Sequence, residues 1–358
     1  MEPLKTRIAR DFGTPAMVVD LAVAERNIAH TQALCDAKGI ANRPHIKTHK
    51  MPFFAQLQRE AGASGIACQK LGEAEVMADA GFDDIFIPYN LLGEEKMARL
   101  AALMGRARMS VAADNPVVVE ALGQAAALAG RDLFVLIECD TGRKRAGVET
   151  PAEAIALAVK IAATPGLVFD GLMMYPPENG AQVTNDFLAR TRAGLAAHGL
   201  VPRVISSGGT PNLLTLGSID GQTEHRAGTS IFNDRMMMAA GFARLDECAL
   251  RIYTTVVSRG GAERGILDAG SKTLTSDTGG LDGYGLILEH PEARVATFAE
   301  EHGFLDLSRC NDRPKVGDIV QVIPNHVCPV VNVVGAMVLV RGEEIIGQMD
   351  VAARGKLT

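Results

Sequence analysis

The run Arg43-Pro44-His45-Ile46-Lys47 is the first stretch whose residue types could do chemistry. Residues 43, 45 and 47 alternate, and alternate residues of an extended strand share a face. A lysine would then end the strand with a histidine below it. A lone lysine is ordinarily a solvated loop residue, but here companions downstream give it a context. Ser206-Ser207-Gly208-Gly209-Thr210 and Gly228-Thr229-Ser230 combine glycines with hydroxyls. Glycines let backbone N–H groups approach an anion closely, and hydroxyls add donors. A phosphate on one side and a lysine amine on the other suit a phosphorylated aldehyde held as a lysine Schiff base. Pro324-Asn325-His326-Val327-Cys328-Pro329 offers a second kind of chemistry. In a strand His326 and Cys328 would point the same way. An imidazole nitrogen with a thiolate suits Zn²⁺ best and leaves positions open for water and substrate. Without context, a buried cysteine and a satisfied histidine are the commoner explanation of such a pair.

These residues need elements to position them. Short Val- and Ile-rich runs alternate with longer amphipathic stretches over the first two-thirds of the chain. Strands are predicted near 43–47, 65–69, 85–89, 108–112, 133–139, 169–175, 203–207 and 225–231. Eight βα units in about 200 residues imply an α/β fold, a closed (β/α)8 TIM-type barrel. An open doubly wound sheet would carry a Gly-rich turn after its first strand, and RPHIKTHK has no glycine. Active sites of such barrels lie at the C-terminal strand ends, with phosphate beside the loops after strands seven and eight. Lys47 ends the first strand, Gln69 the second and Tyr175 the sixth, while Asp140–Gly147 follows the fifth. SSGGT and GTS fall at strands seven and eight. After about residue 236 strand-like runs are separated by Gly, Pro and Asp turns, so a mainly β domain follows. The expected division is a barrel over 21–235 and a β domain over 1–20 plus 236–358 that carries His326 and Cys328.

Composition narrows the function classes. The chain has 358 residues, 47% of them hydrophobic, and a net charge of -6 with both signs interspersed. No basic stripe is present to meet nucleic-acid phosphates or an anionic membrane. No apolar run approaches the roughly 18 residues of a spanning helix. The first residues lack the apolar core of a signal peptide. Six scattered cysteines with no CxxC pair read as reduced thiols in a cytoplasmic protein.

The runs RPHIKTHK, GIACQKLGEAEVMADAGFDDIFI, ECDTGRKRAGV, SSGGT, RAGTSIFND, ILDAGSKT, EEHG and PNHVCPVVN, with the closing Ala353-Arg354-Gly355, stand in one order along nearly the whole chain. In them the chain resembles the D-threonine aldolase and D-serine dehydratase family of fold-type III, alanine-racemase-like, pyridoxal-phosphate enzymes. The resemblance implies that Lys47 is the Schiff-base lysine and that Arg145 faces the pyridine nitrogen. It implies that Gln69 and Tyr175 line the cofactor, and that the SSGGT and GTS loops hold its phosphate. His326 and Cys328 would bind a divalent metal (Zn²⁺, Mn²⁺ or Mg²⁺) that contacts the β-hydroxyl of a D-amino acid. The implied assembly is a homodimer. The implied activity is low-specificity D-threonine aldolase cleavage, with D-serine or D-3-hydroxyaspartate dehydration as the alternative.

Two features depart from the aldolases. They carry His-x-Asp where this chain has His326-x-Cys328, which is closer to the D-serine dehydratases. They also place a histidine near the tyrosine of the sixth strand, where this chain reads Tyr175-Pro176-Pro177-Glu178-Asn179-Gly180. The β-hydroxyl base is therefore open among His45, a metal-bound hydroxide and Glu178. A racemase would need a second base, for which Tyr253 is the candidate, and would leave the metal pair without a task. A non-catalytic pyridoxal-phosphate carrier would need no metal either.

Overall fold

The computed structural model describes residues 2–358. Strand β1 spans Ala16–Asp20. The strands β2 (Ala41–Asn42), β3 (Ile66–Ala67), β4 (Asp84–Ile87), β5 (Arg108–Ala113), β6 (Leu133–Cys139), β7 (Leu167–Met174), β8 (Val204–Gly208) and β9 (Glu224–Arg226) follow. They form one parallel sheet in the order β2-β9-β8-β7-β6-β5-β4-β3. A parallel bridge between His45 and Ala67 closes β2 against β3. The closed parallel sheet is the (β/α)8 barrel that the sequence predicts. Its alternation follows the period of a strand. Ile85, Val111, Val135, Ile137, Leu172 and Ile205 face outward and share one core with the helices. Phe86, Ala112, Leu136 and Met173 face inward as a layer across β4 to β7.

Several barrel strands are shorter than predicted. The first, expected at 43–47, lies at Ala41–Asn42 instead, and Ile46–Thr48 forms a 3-10 turn. The ladder bonds nonetheless run on, since the Arg43 and His45 N–H groups donate to His225 and Ala227 carbonyls. Pro44 has no N–H, and its carbonyl accepts from Ala67 instead. Helix starts are set locally. Thr150 and Glu153 form a capping box ahead of Pro151–Ala163, and Asn115 caps Pro116–Ala129. Gly171 (φ +158°) has to be glycine, because a Cβ there would lie 1.9 Å from the Val204 carbonyl oxygen.

The remaining strands are β10 (Leu250–Ser258), β11 (Arg264–Leu267), β12 (Leu286–Ile287), β13 (Arg294–Phe298), β14 (Gly303–Asp306), β15 (Ile319–Ile323), β16 (Ala336–Arg341) and β17 (Glu344–Asp350). With β1 they make a nine-stranded, mainly antiparallel sheet, β11-β14-β13-β12-β15-β10-β1-β16-β17. The strand TPAMVVD, surplus to the barrel, pairs between β10 and β16.

By contacts the chain divides into a barrel unit (His30–Lys47, Met51–Gly228 and Lys356–Thr358) and a β unit (up to Ala29, Thr48–Lys50 and Thr229–Gly355). The expected boundaries at 21 and 236 differ from this division. The first half of helix Leu21–Asp36 goes with the β unit because the buried Asn27 amide donates to the Ile231 and Glu247 carbonyls. Among the described residues no helix is long and apolar enough to cross a membrane.

Candidate active site

In the barrel unit, Lys47 sits in the 3-10 turn just past the strand rather than on it. Its half-buried ammonium has no hydrogen bond or ion pair among the described residues. His45 lies two residues earlier, buried. Its Nε2–H donates to Gln69 Oε1 at 3.0 Å, and Nδ1 is 3.5 Å from the Lys47 N–H. Gln69 is itself fixed, since its backbone N–H donates to the Glu73 carboxylate at 2.6 Å. The structure thus brings Lys47, His45 and Gln69 to the same end of adjoining strands. Arg43, on the same face as His45, reaches instead to Glu224 and Asp84.

SSGGT ends β8. Ser207 as a residue is 2% exposed, and its hydroxyl makes no hydrogen bond among the described residues. It lines a cavity of about 280 Å³ with Pro177, Asn212, Gln222 and His225. Gly209 has φ +105°, and a Cβ there would stand 2.6 Å from Tyr175 Cε2. The glycine therefore lets the loop lie against the tyrosine ring. Asn212 donates to the carbonyls of Gly208 and Pro176, clipping this loop to the one after Tyr175. Thr210 is buried and begins the 3-10 turn Pro211–Thr215. Behind the loop His225 Nε2 donates to the Gly209 carbonyl at 3.0 Å, and Gln222 faces Nδ1 at 3.1 Å. Burial lowers the His225 pKa to about 4, so the ring is neutral. Gly228 closes the loop after β9.

Two arginines pack on Tyr175, and a third is buried on β9. The Arg143 and Arg145 guanidinium carbons lie 4.3 and 5.1 Å from the Tyr175 ring centroid. Arg143 is a stacking partner of that ring. Arg145, expected at the ring nitrogen, has a side chain 56% exposed and pairs with Glu138 at 3.3 Å. Arg226, which sequence reasoning missed, is buried on β9. It donates to Ser206 Oγ and to the Met174 carbonyl. Ser206 in turn donates to Glu224 at 2.6 Å. Burial lowers the Arg226 pKa to about 10, and Glu224 and Glu138 oppose that fall. The visible signal was its place on a strand in RAGTS, where a charged side chain must face inward or outward.

In the β unit, the strand expected at His326 and Cys328 has already ended at Ile323. His326 precedes helix Val327–Val333, and Cys328 lies in its first turn. The buried Asp234 fixes this start. Its carboxylate accepts from the Val327 and Met237 N–H groups, both at 3.0 Å. Cys328 Sγ lies 3.2 Å from the Thr48 hydroxyl and 3.8 Å from that of Thr229, and Ser230 is buried next to Thr229. His326 Nδ1 is 2.8 Å from Asp277 Oδ2. Burial works against a charge on His326, but hydrogen bonds to Cys328 and Asp277 outweigh it and raise the ring pKa to about 9. Asp277, also missed in the sequence, lies in a turn with no metal-ligand spacing to either residue. Asn325 ties that turn down by donating to the Thr278 and Gly283 carbonyls.

The tight Gly209 and the unpaired Lys47 ammonium fit a phosphorylated aldehyde cofactor. The donor chemistry of the β unit fits a divalent cation. Imidazole and thiolate are adjacent, and a carboxylate on the far imidazole nitrogen is the usual way a ligating histidine is oriented. Among the described residues no group of three or more His, Cys, Asp or Glu converges as a complete metal shell.

A profile for the alanine racemase N-terminal domain matches residues 19–236, and one for a putative serine dehydratase domain matches residues 249–340. The chain is 33% identical to a D-threonine aldolase of Arthrobacter sp., covering 96% of this chain and 93% of that protein. Its structure is similar to that of D-threonine aldolase from Filomicrobium marinum, with a TM-score of 0.88, 31% identity and 96% of each chain covered. It is also similar to D-threo-3-hydroxyaspartate dehydratase from Delftia sp. HT23, with a TM-score of 0.87 and 27% identity, covering 98% of this chain and 99% of that one. A cysteine-to-alanine variant of a D-threo-3-hydroxyaspartate dehydratase has been solved in a metal-free form.

Proposed function

The chain belongs to the family of alanine-racemase-like barrel enzymes with a serine-dehydratase domain, and on that premise we propose that it is a pyridoxal-phosphate- and metal-dependent lyase of D-3-hydroxy-α-amino acids, most concretely a D-threonine-aldolase-type enzyme. The observation that carries the reading is similarity over the whole chain, in sequence and in structure, to aldolases of that class.

Lys47 would carry the cofactor through Nζ, and Ser207, Gly208, Gly209, Thr210 and Gly228, with Thr229 and Ser230, would hold its phosphate. When bound, the cofactor supplies the electron sink that lets a bond at Cα break. His326 and Cys328 would hold the divalent cation, which supplies Lewis acidity toward the β-oxygen. The chain's own residues orient and move protons. The His45 Nε2–H to Gln69 Oε1 contact fixes one tautomer and leaves Nδ1 as the acceptor side of the ring. Of the arginines, Arg226 has the burial and fixed partners that a ring-nitrogen contact requires, and Arg145 guards the rim beside Tyr175. In cleavage the β-hydroxyl proton is lost, Cα–Cβ breaks, and an aldehyde and glycine leave after Cα regains a proton. In dehydration Lys47 Nζ takes the Cα proton and the β-hydroxyl departs, giving a 2-oxo acid and ammonia after hydrolysis.

Dehydration is the second reading, favoured by the cysteine in the metal pair and by the similarity to the Delftia dehydratase. The protein incubated with pyridoxal phosphate, divalent metal and D-threonine tests both, with D-serine and D-3-hydroxyaspartate run alongside. Glycine plus acetaldehyde is the expected result. Ammonia plus a 2-oxo acid would move the assignment to the dehydratase. Neither product, with the same cofactor absorbance in wild type and Lys47→Ala, would remove the proposal.

A further inference from the structure

A second cavity, of about 400 Å³, opens on the β unit with no part in the chemistry above. Its floor is one face of the sheet, where Val18 of β1 lies opposite Arg251 of β10, and Tyr253 lies opposite Gln321 of β15. Val340 of β16 and Leu4 of the N-terminal helix give it apolar walls. The polar groups at the cavity are unevenly paired. Lys5 is spent on the Ile319 carbonyl and Glu289. The Asp20 carboxylate accepts from the Ala22 and Val23 N–H groups, and Glu343 pairs with Arg7. Arg251 alone is uncompensated. It forms no ion pair among the described residues, donates NH1 to the neutral Gln321 Oε1 at 3.0 Å, and keeps a buried Nε with no partner. The Tyr253 hydroxyl, on a residue only 4% exposed, has no hydrogen-bond partner among the described residues either.

At the cavity Arg251 carries a positive charge with no carboxylate partner among the described residues, and the Tyr253 hydroxyl has no protein acceptor among them, so both donors are open to an incoming anion. An arginine fork matches a planar carboxylate, and apolar walls suit a small hydrocarbon body. We propose that this cavity binds a small monocarboxylate with an apolar body, its carboxylate taken by Arg251 and Tyr253. The same geometry disposes of Tyr253 as a racemase base, since its ring packs with Ile8, Ala16 and Val338 in the β-unit core.

The test uses the enzyme loaded with pyridoxal phosphate and metal, with 4-fluorobenzoate as the probe read by fluorine NMR. Saturable line broadening is expected, and Arg251→Met should weaken it at least about tenfold, the scale of one charge-assisted contact. Tyr253→Phe keeps the ring and should weaken binding a few-fold. Both variants should keep lyase turnover, which separates this cavity from the catalytic residues. No saturable binding to the wild type, or equal binding in Arg251→Met, would overturn the proposal. Should Arg251→Met fail to fold, unchanged binding in Tyr253→Phe would overturn it as well.

Discussion

The Thr48 hydroxyl stands 3.2 Å from the Cys328 thiol, and Thr48 is the residue that follows Lys47 in the chain. A metal-bound thiolate can only accept, so with a cation present the Thr48 hydroxyl would donate to the sulfur. The lysine turn thus carries the amine and, one residue on, a hydroxyl in contact with the candidate metal ligand. Thr48→Val removes the hydroxyl and keeps the shape. It should weaken divalent-metal affinity several-fold and leave cofactor absorbance intact. An unchanged metal titration in this variant would show that the contact is packing only.

The Asp277–His326 contact leads to a related expectation. Chelation should abolish turnover, and added Mn²⁺, Zn²⁺ or Mg²⁺ should restore it. Asp277→Asn should lower metal affinity about 10–100-fold, the usual effect of removing a carboxylate behind a ligating histidine. Metal-dependent activity measured across a cation titration reads this directly. Equal midpoints in wild type and variant would mean that His326 is oriented by something else or binds no metal.

Ser207 gives the cofactor its own test. Its hydroxyl makes no hydrogen bond among the described residues, so a bound phosphate would give it a partner. A hydrogen bond to a charged group is worth about 1.5–3 kcal/mol. Ser207→Ala should therefore raise the pyridoxal-phosphate dissociation constant roughly tenfold or more, with little change in thermal stability. Ser206→Ala, which cuts into the Arg226–Ser206–Glu224 chain, should cost stability as well. Identical cofactor affinity in Ser207→Ala and wild type would remove that residue from the phosphate site.

Much of this was legible in residue order. Eight Val- and Ile-rich runs separated by helical periods required a parallel sheet, and the glycine–hydroxyl loops fell at its seventh and eighth strands. Long-range partners were not legible. Arg226 looks like any charged strand residue until Ser206 and Glu224 are seen beside it. Asp277 is 49 positions from His326, in a turn with no spacing pattern of its own. The strand assumed for His326 and Cys328 failed for a similar reason. Asp234, far away in sequence, caps Val327 and starts a helix where local β-propensity favours a strand. Lys47 lies in a 3-10 turn just past the last ladder bonds, which run on through Pro44 to His45, and no residue pattern in RPHIKTHK marks that turn.

His225 makes acid stability informative. Its pKa is lowered from 6.5 to about 4, chiefly by burial, with the hydrogen bond to Gly209 opposing the fall. Above pH 6.5 the ring is neutral in both folded and unfolded chains, and its contribution is fully present. Below that the unfolded chain takes up the proton while the folded one does not, so stability falls with pH until about pH 4 and then levels off. At about 1.36 kcal/mol per pKa unit, that window corresponds to roughly 3 kcal/mol. His225→Gln can still donate to the Gly209 carbonyl but does not titrate. Urea midpoints at pH 7, 5.5 and 4.5 should therefore fall less steeply in the variant, with the two proteins converging toward acid. Parallel pH profiles would mean that the His225 ring is protonated in the folded protein, and the Gly209 loop would then need a different anchor.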